Sequence, residues 1–283
     1  MDIRTQETEP SRPKSLMQRL GLSVLFLGCG LLVFIVSHFT SGELNVQTFW
    51  VPSLFLVAAI MTRRSARLNA HWQVFYAFFI FSFVWLFRHS VLDSSLVQPF
   101  YSTITGNVVA QLVDSTVVIG PIVLLTFASR ANLASIFLRR GDLRLGLLVG
   151  LAVIAIFYLL TAVIGITIAG MSSGFFLSLT PFLLILAVAN GFKEELWFRG
   201  LFLNKYETIL GFRLSNFLQA AIFAASVVEA EFSSILLGFA LVSFFLGLGL
   251  GYLMRRTDSI FGSSLCEAGA TIPIFLMVLS GLK

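Results

Sequence analysis

The segment ANGFKEELWFRG places two adjacent glutamates and an arginine, Glu194, Glu195 and Arg199, at the end of a long apolar run. A charged side chain costs about 2.5–3.5 kcal/mol at the centre of a membrane helix, so charges in this position need an explanation. Glu195 and Arg199 are four residues apart and share a helical face, in the acid-then-base order that favours an ion pair. Carboxyl groups withdrawn from water can also serve as general acids or bases.

Glu194 has no such partner in its own helix. It projects about 100° away from Glu195, and position 198, where a basic partner would stand, is Phe. An unpaired carboxyl at a membrane boundary is suited to act as a general base. It is equally suited to be an interfacial charge that reaches water beside Lys193. The residues alone leave both interpretations open.

A further acid, Glu267, lies inside the apolar segment SIFGSSLCEAGATIPIFLMV. It stands roughly 12 Å beyond the start of its span, too deep for a short side chain to reach the interface. It is therefore either protonated and hydrogen-bonded, with Ser263, Ser264 or Thr271 as partners, or part of a site. We favour the site.

The remaining charges of the apolar segments have simpler interpretations. Asp114 is expected to form a hydrogen bond between helices. Arg88 and His89 close the third span and are expected to be interfacial, and Glu229 and Glu231 to mark a solvated turn.

The composition defines the class of protein. Of 283 residues, 57% are hydrophobic and only 12% are charged, and the mean hydropathy is +0.93. A soluble domain carries about 25% charged residues, so we predict an all-α, polytopic integral membrane protein. The two cysteines, Cys29 and Cys266, provide neither a disulfide framework nor a zinc-finger spacing.

Nine apolar runs are candidate transmembrane helices, and because the second and seventh are short, we expect eight or nine spans. The runs lie at 20–38, 46–62, 73–92, 107–128, 145–169, 176–193, 214–228, 233–254 and 259–282. The eighth carries four glycines that suit close helix packing, namely Gly238, Gly247, Gly249 and Gly251.

Basic residues mark one side of the membrane. The net charge is +5, but Lys and Arg fall in short clusters between apolar runs, which indicates topology rather than a nucleic-acid site. The intervening connections contain no Lys or Arg; they are 39–45, 93–106, 170–175 and 229–232. The positive-inside rule therefore predicts a cytoplasmic polar tail at 1–19, a retained first span and a cytoplasmic Glu-Glu motif. We expect the membrane to be the bacterial inner membrane.

Three segments, in order, resemble the motifs of a known family. EELWFRG is similar to the Glu-Glu-x-x-x-Arg motif of the CAAX-processing and bacteriocin-processing membrane proteases, the CPBP or Abi family. LSNFLQAAIFAASVVEA is similar to the second motif, in which His follows Phe by four residues. LGLGLGYLMRRTDSIFGSSLCEAGAT is similar to the third, which ends in His-x-x-x-Asn. The resemblance implies a protease core at 176–283, preceded by N-terminal transmembrane helices at 20–175.

The resemblance also implies roles. The family's site is a polar cavity that opens to the cytoplasm, where the first glutamate activates a water molecule. Glu194 takes that place, and Glu195 with Arg199 takes the place of the supporting pair. The family completes its site with two histidines and an asparagine, but here those positions hold Val227, Glu267 and Thr271. The chain's histidines all precede the motif; they are His38, His71 and His89.

This departure changes the expected chemistry. Without imidazoles there is no His-based metal site, and two glutamates would make a poor, oxygen-only zinc site, so we expect no metal or other cofactor. Glu194 and Glu267 could instead share one proton across a cavity, one acting as base toward water and the other as acid toward the carbonyl oxygen.

The function therefore has two candidates. The first is an intramembrane endopeptidase acting on a hydrophobic or lipidated peptide at the bilayer. The alternative is a relative that has lost catalysis and serves as a peptide-binding, immunity or adaptor protein. A transporter is disfavoured, because no inverted repeat is visible.

Overall fold

The computed structural model describes residues 15–40, 49–228 and 234–282, and this part of the chain is helical with no strand. Glu229 and Glu231 lie outside it, as does most of the predicted polar tail. The helices are α1 Leu16–Thr40, α2 Trp50–Arg64, α3 Trp72–Leu92, α4 Ile104–Ala128, α5 Leu143–Thr167, α6 Ser173–Glu194, α7 Leu203–Leu210, α8 Phe212–Val228, α9 Ser234–Thr257 and α10 Phe261–Ser280. Between α6 and α7 a π-helical segment runs over Glu195–Gly200.

In the described part, seven helical segments are long and apolar enough to cross a bilayer, fewer than the eight or nine spans expected. The two predicted spans outside this set are the two that the sequence marked as short, and they form α2 and α8, of 15 and 17 residues. The protein is thus an all-α, multi-pass membrane protein.

Helix α10 lies inside the bundle and packs along both α5 and α6. Small residues permit the close approach. A Cβ added at Gly191 of α6 would collide with the backbone of Ser264 and Ala268 in α10. Because neither neighbour is the end of a flexible side chain, this crossing requires glycine, and it holds α6 and α10 in backbone contact.

The glycines of α9 divide into two pairs. Gly247 and Gly251 face α8: a Cβ at Gly247 would lie 3.1 Å from the Cβ of Ala220, and one at Gly251 would collide with the Asn216 side chain. Gly249 has nothing within 4 Å of that position. The same is true of Gly238. The predicted packing role is therefore confirmed for Gly247 and Gly251 only.

An aromatic cluster joins α1, α3 and the segment after the Glu-Glu motif. Tyr206 stacks on Phe26 and on Phe202, with ring centroids 5.4 and 5.3 Å apart, and Phe202 packs on Phe78 at 4.9 Å. All four side chains are fully buried. This cluster fixes the chain immediately beyond the π segment.

A strap formed by residues 133–142, between α4 and α5, closes the basic end of the bundle. The Ile260 amide donates to the Phe137 carbonyl at 3.1 Å, and the Asp142 amide donates to the Thr257 carbonyl at 2.6 Å. The strap therefore holds the turn from which α10 starts.

Candidate active site

The Glu-Glu motif lies where α6 changes its helical form. The α-helix ends at Glu194, and the next turn, Glu195–Gly200, is π-helical. π-Helical turns are rare and frequently occur at functional sites. This turn places Glu195 and Arg199 in the protein interior, where both are 0% exposed, while Glu194 is half-buried.

Glu195 and Arg199 form the ion pair expected from their spacing, with Arg199 Nη1 donating to Glu195 Oε1. The same Nη1 atom lies 3.8 Å from Glu267 Oε2 of α10. The guanidinium also lies over the ring of Phe223, 4.4 Å from its centroid. One cation therefore neutralises one carboxylate fully and borders a second, and an aromatic face covers it.

Glu267 is 3% exposed, and Glu194 is among the charged groups that surround its carboxyl. The two acids come from α6 and α10, and the helix crossing at Gly191 holds those helices together. Two carboxyl groups brought together in an apolar surround are the arrangement that acid-pair chemistry requires.

Two of the three hydroxyl groups proposed as partners of Glu267 donate to backbone carbonyl groups, and the third, of Ser264, has no hydrogen-bond partner within the described residues. Ser263 donates to the Ile260 carbonyl at 3.0 Å and lies near Glu195, and Thr271 donates to the Ala268 carbonyl at 3.0 Å. Glu267 therefore has no hydrogen bond to these serine and threonine side chains, in contrast to the simpler interpretation.

Several polar atoms around the acids are buried and have no hydrogen-bond partner within the described residues. They are Glu195 Oε2, Glu267 Oε2, Arg199 Nε, Arg199 Nη2 and Gln219 Oε1. Buried polar groups in proteins are almost always paired, with protein or with ordered water. This cluster of donors and acceptors is a suitable surround for a water molecule or a peptide group.

Aromatic rings support the π segment from the side of α3 and α8. Trp197 packs on Trp85 with centroids 5.1 Å apart, and Phe198 packs on Phe81 and Phe223 at 5.5 and 5.2 Å. The short run between the motif glutamates and Gly200 is therefore fixed by large, rigid side chains.

The structure adds one contact of a charged residue that was not predicted and corrects one expectation. Lys193 is 4% exposed, and its ammonium donates to Asp114 at 2.7 Å. Arg88 is not simply interfacial, because its Nε donates to the same carboxylate at 2.6 Å. Charges inside three separate spans were the available signal, since such charges pair with one another. His89 is half-buried, and its Nδ1 lies 2.8 Å from the Trp85 carbonyl oxygen.

The family positions that lack histidine lie on α8 and α10. Val227 is half-buried near the end of α8, and Thr271 is buried one turn beyond Glu267. Among the described residues no group of three or more His, Cys, Asp or Glu is arranged to hold a metal ion.

A cavity of about 630 Å³ lies among α4, α5, α6 and α10. Its walls are apolar apart from the hydroxyl-bearing side chains Ser115, Thr116 and Ser264, and neither Glu194 nor Glu267 lines it. The acids therefore do not share this cavity, which differs from the polar cavity expected from the resemblance.

A comparison with known protein families gives a match for the segment that contains these acids. Residues 175–272 match the family model described as Rce1-like, type II CAAX prenyl endopeptidase. No curated protein and no solved structure gives a significant match. The matched segment includes α6, the π segment and the Glu267 region of α10. The predicted resemblance is confirmed over residues 175–272, where this multi-pass membrane protein matches the Rce1-like family model of the CPBP membrane proteases.

Proposed function

We propose that the protein is an intramembrane endopeptidase that cleaves a hydrophobic or lipidated peptide with water activated by Glu194 and Glu267. The observation that carries the proposal is the convergence of these two carboxyl groups, one from α6 and one from α10, beside the Glu195–Arg199 pair. The family match supports protease activity at the level of the family.

The proposed reaction needs only the shared proton. Ionised Glu194 takes a proton from water while the water oxygen attacks the peptide carbonyl carbon. Protonated Glu267 gives its proton to the carbonyl oxygen, which produces a neutral tetrahedral diol. Glu194 then returns its proton to the peptide nitrogen, and the C–N bond breaks. Glu267 recovers a proton as the new carboxyl group forms, so the pair ends as it began.

Arg199 has a supporting role in this scheme. Its Nη1 atom pairs with Glu195 and lies 3.8 Å from Glu267 Oε2, so it stabilises negative charge that appears on Glu267 after proton transfer. The buried Glu195 carboxylate holds the guanidinium in place. Neither group needs to exchange protons with the substrate.

The surroundings of the acids favour a membrane-associated substrate. Glu267 is almost completely buried in a helix long and apolar enough to cross the bilayer. A peptide reaches such a position more readily when a hydrophobic side chain or a lipid group holds it at the membrane. The predicted orientation gives access from the cytoplasmic face of a bacterial inner membrane.

One observation favours the alternative of an inactive relative. Val227 and Thr271 stand where the family has histidine and asparagine, and no histidine follows His89. A chain with this substitution pattern could retain the scaffold and bind peptides without cleaving them, as an immunity or adaptor protein.

Proteolysis in liposomes separates the two functions. Purified protein is reconstituted and incubated with quenched fluorescent peptides, lipidated and unlipidated, with and without a chelator. We expect cleavage of the lipidated peptides that the chelator does not affect, that Glu194→Gln abolishes and that Glu267→Gln slows by roughly 10²–10⁴-fold. The pair formed by exposed Arg255 and half-buried Glu207 provides the control variant Glu207→Gln. Full activity of Glu267→Gln would exclude the acid-pair mechanism, and binding without cleavage by the unmodified protein would establish the alternative.

A further inference from the structure

Three helices meet at one buried carboxylate outside the acid pair. Asp114 of α4 accepts from Lys193 of α6 at 2.7 Å, and from Arg88 of α3 at 2.6 and 3.3 Å. The Lys193 and Asp114 side chains are each 5% exposed. An ion pair this deeply buried strongly opposes separation, because a lone charge would remain in an apolar environment.

Lys193 immediately precedes Glu194, so the ion pair also determines the direction in which Glu194 points. Consecutive residues of an α-helix point about 100° apart, so the direction of Lys193 determines the direction of Glu194. Lys193 points to α4, and Glu194 then faces α10, where Glu267 lies. Rotation of α6 about its axis would break the ion pair and separate the two acids together.

The Lys193–Asp114 ion pair matters because the helix changes its form at Glu195. The π-helical turn begins at Glu195, and a π turn contains one more residue than an α turn. A return to α-helical geometry there would rotate the helix before or after it. Lys193 fixes the last α-helical turn on the α4 side, while Gly191 fixes it on the α10 side.

A polar seam extends the same contact between α4 and α6. Gln111 Nε2 lies 3.3 Å from Asn190 Oδ1, and the Ser115 hydroxyl donates to the Ala189 carbonyl at 3.2 Å. These hydrogen bonds are weaker than the ion pair and border its position along α6. They define the rotation of α6 about its own axis relative to α4, which apolar packing alone would define less well.

We infer that Lys193 is a positioning residue, which aims Glu194 at Glu267 through its buried ion pair with Asp114. This inference rests on the proposed function for its kinetic consequence, although the geometry of the helix can be measured separately. Lys193 itself does not touch the substrate or the reacting atoms in this scheme.

The informative variant is Lys193→Met. Asp114 keeps both contacts with Arg88 when Lys193 is replaced, so no buried charge is left unpaired and the protein is expected to fold. We expect kcat to fall by about 10²-fold, the cost of misplacing a catalytic group by about 1 Å, with KM nearly unchanged. Lys193→Arg keeps the cation and restores most of kcat. Lys205→Met is the matched control, because the Lys205 ammonium donates to the Leu201 carbonyl.

A cross-linking measurement tests the same inference without activity. Phe192 of α6 and Phe261 of α10 have ring centroids 6.3 Å apart. Cysteines at these two positions, in a chain with Cys29 and Cys266 replaced by alanine, should be joined by a short thiol cross-linker. We expect the yield to fall severalfold with Lys193→Met and to be unchanged with Lys205→Met.

The outcomes separate this inference from the proposed function. If the unmodified protein cleaves peptides but Lys193→Met has unchanged kcat and unchanged cross-linking, Lys193 is not a positioning residue and the protease proposal stands. If Lys193→Met lowers only the melting temperature, the ion pair is purely structural and the inference is wrong. If the unmodified protein does not cleave, the protease proposal fails, and the cross-linking yield alone decides whether Lys193 orients α6.

Discussion

At the scale of single residues, the site places the carboxyl groups of Glu195 and Glu267 beside the Arg199 guanidinium, with Glu194 as a third acid nearby. Glu195 has the guanidinium of Arg199 as its partner, whereas Glu194 and Glu267 have each other. In the proposed mechanism the first acid supports the site and the other two transfer protons. The distinction between supporting and reacting acids produces two predictions.

The first prediction concerns pH. The acid pair works only when one member is ionised and the other protonated, so activity should rise with pH as the base loses its proton and fall when the shared proton leaves. The profile of kcat/KM should be bell-shaped. Glu267→Gln removes the group whose deprotonation produces the alkaline limb, so that limb should disappear and the rate should fall by roughly 10²–10⁴-fold. A profile for Glu267→Gln that keeps its alkaline limb would contradict this assignment.

The second prediction concerns the supporting pair. Arg199→Met leaves the buried Glu195 carboxylate without its cation, so the free energy of unfolding should fall by about 3–5 kcal/mol. The double variant Arg199→Met with Glu195→Leu removes both charges and should recover part of the loss. Unfolding in mixed micelles measures both. A double variant no more stable than the single one would show that the charge imbalance is not the cause.

At the scale of helices, the site depends on crossings that only small residues permit. Gly191 allows α6 to contact α10, and Gly247 and Gly251 allow α9 to contact α8. The α8–α9 contact carries its own polar seam, since the Asn216 and Gln219 side chains each donate to α9 carbonyl groups at 2.9 Å. Helix packing thus brings α8 and α9 together beside Arg199.

The third prediction compares two glycines of α9. Gly251→Ala adds a methyl group that collides with the Asn216 side chain, so it should destabilise the protein by about 1–3 kcal/mol. Gly249→Ala adds the same group where nothing lies within 4 Å, so it should be neutral or slightly stabilising. Thermal unfolding of the two variants checks the difference. Equal effects would mean that helix propensity, rather than packing, determines both.

At the scale of the whole molecule, the N-terminal helices take part in the site region. Helix α3 supplies Arg88 and α4 supplies Asp114 to the buried ion cluster, and α5 packs along α10. The strap at 133–142 holds the turn before α10. The family match covers 175–272, yet the surroundings of the acids are completed by helices that precede it.

The fourth prediction concerns orientation in the membrane. Single cysteines at Arg140 and Ser95, both exposed and in opposite sets of connections, report the two faces in an otherwise cysteine-free chain. A membrane-impermeant thiol reagent added to intact spheroplasts should label the Ser95→Cys variant and should label the Arg140→Cys variant only after lysis. The reverse pattern would place the acids near the outer face and overturn the predicted cytoplasmic access.

Much of the protein was predictable from local sequence. The spans follow from apolar length, and the Glu195–Arg199 pair follows from a spacing of four on one helix. The family followed from three motifs in order. These features depend on neighbours along the chain, so their physical basis is contained in short segments.

Tertiary structure alone decided which separate helices meet. The pairing of Lys193 with Asp114 joins residues that are 79 positions apart and was not predicted, whereas the approach of Glu267 to Glu194 was expected from the family resemblance. Such contacts depend on the azimuth of each helix and on where glycines allow close crossing, and neither quantity can be derived from periodicity. The π-helical turn is equally hidden, because it is stable only when the surrounding bundle holds it. Local sequence determined which side chains carry charge in the membrane, and helix packing determined which of those charges face one another.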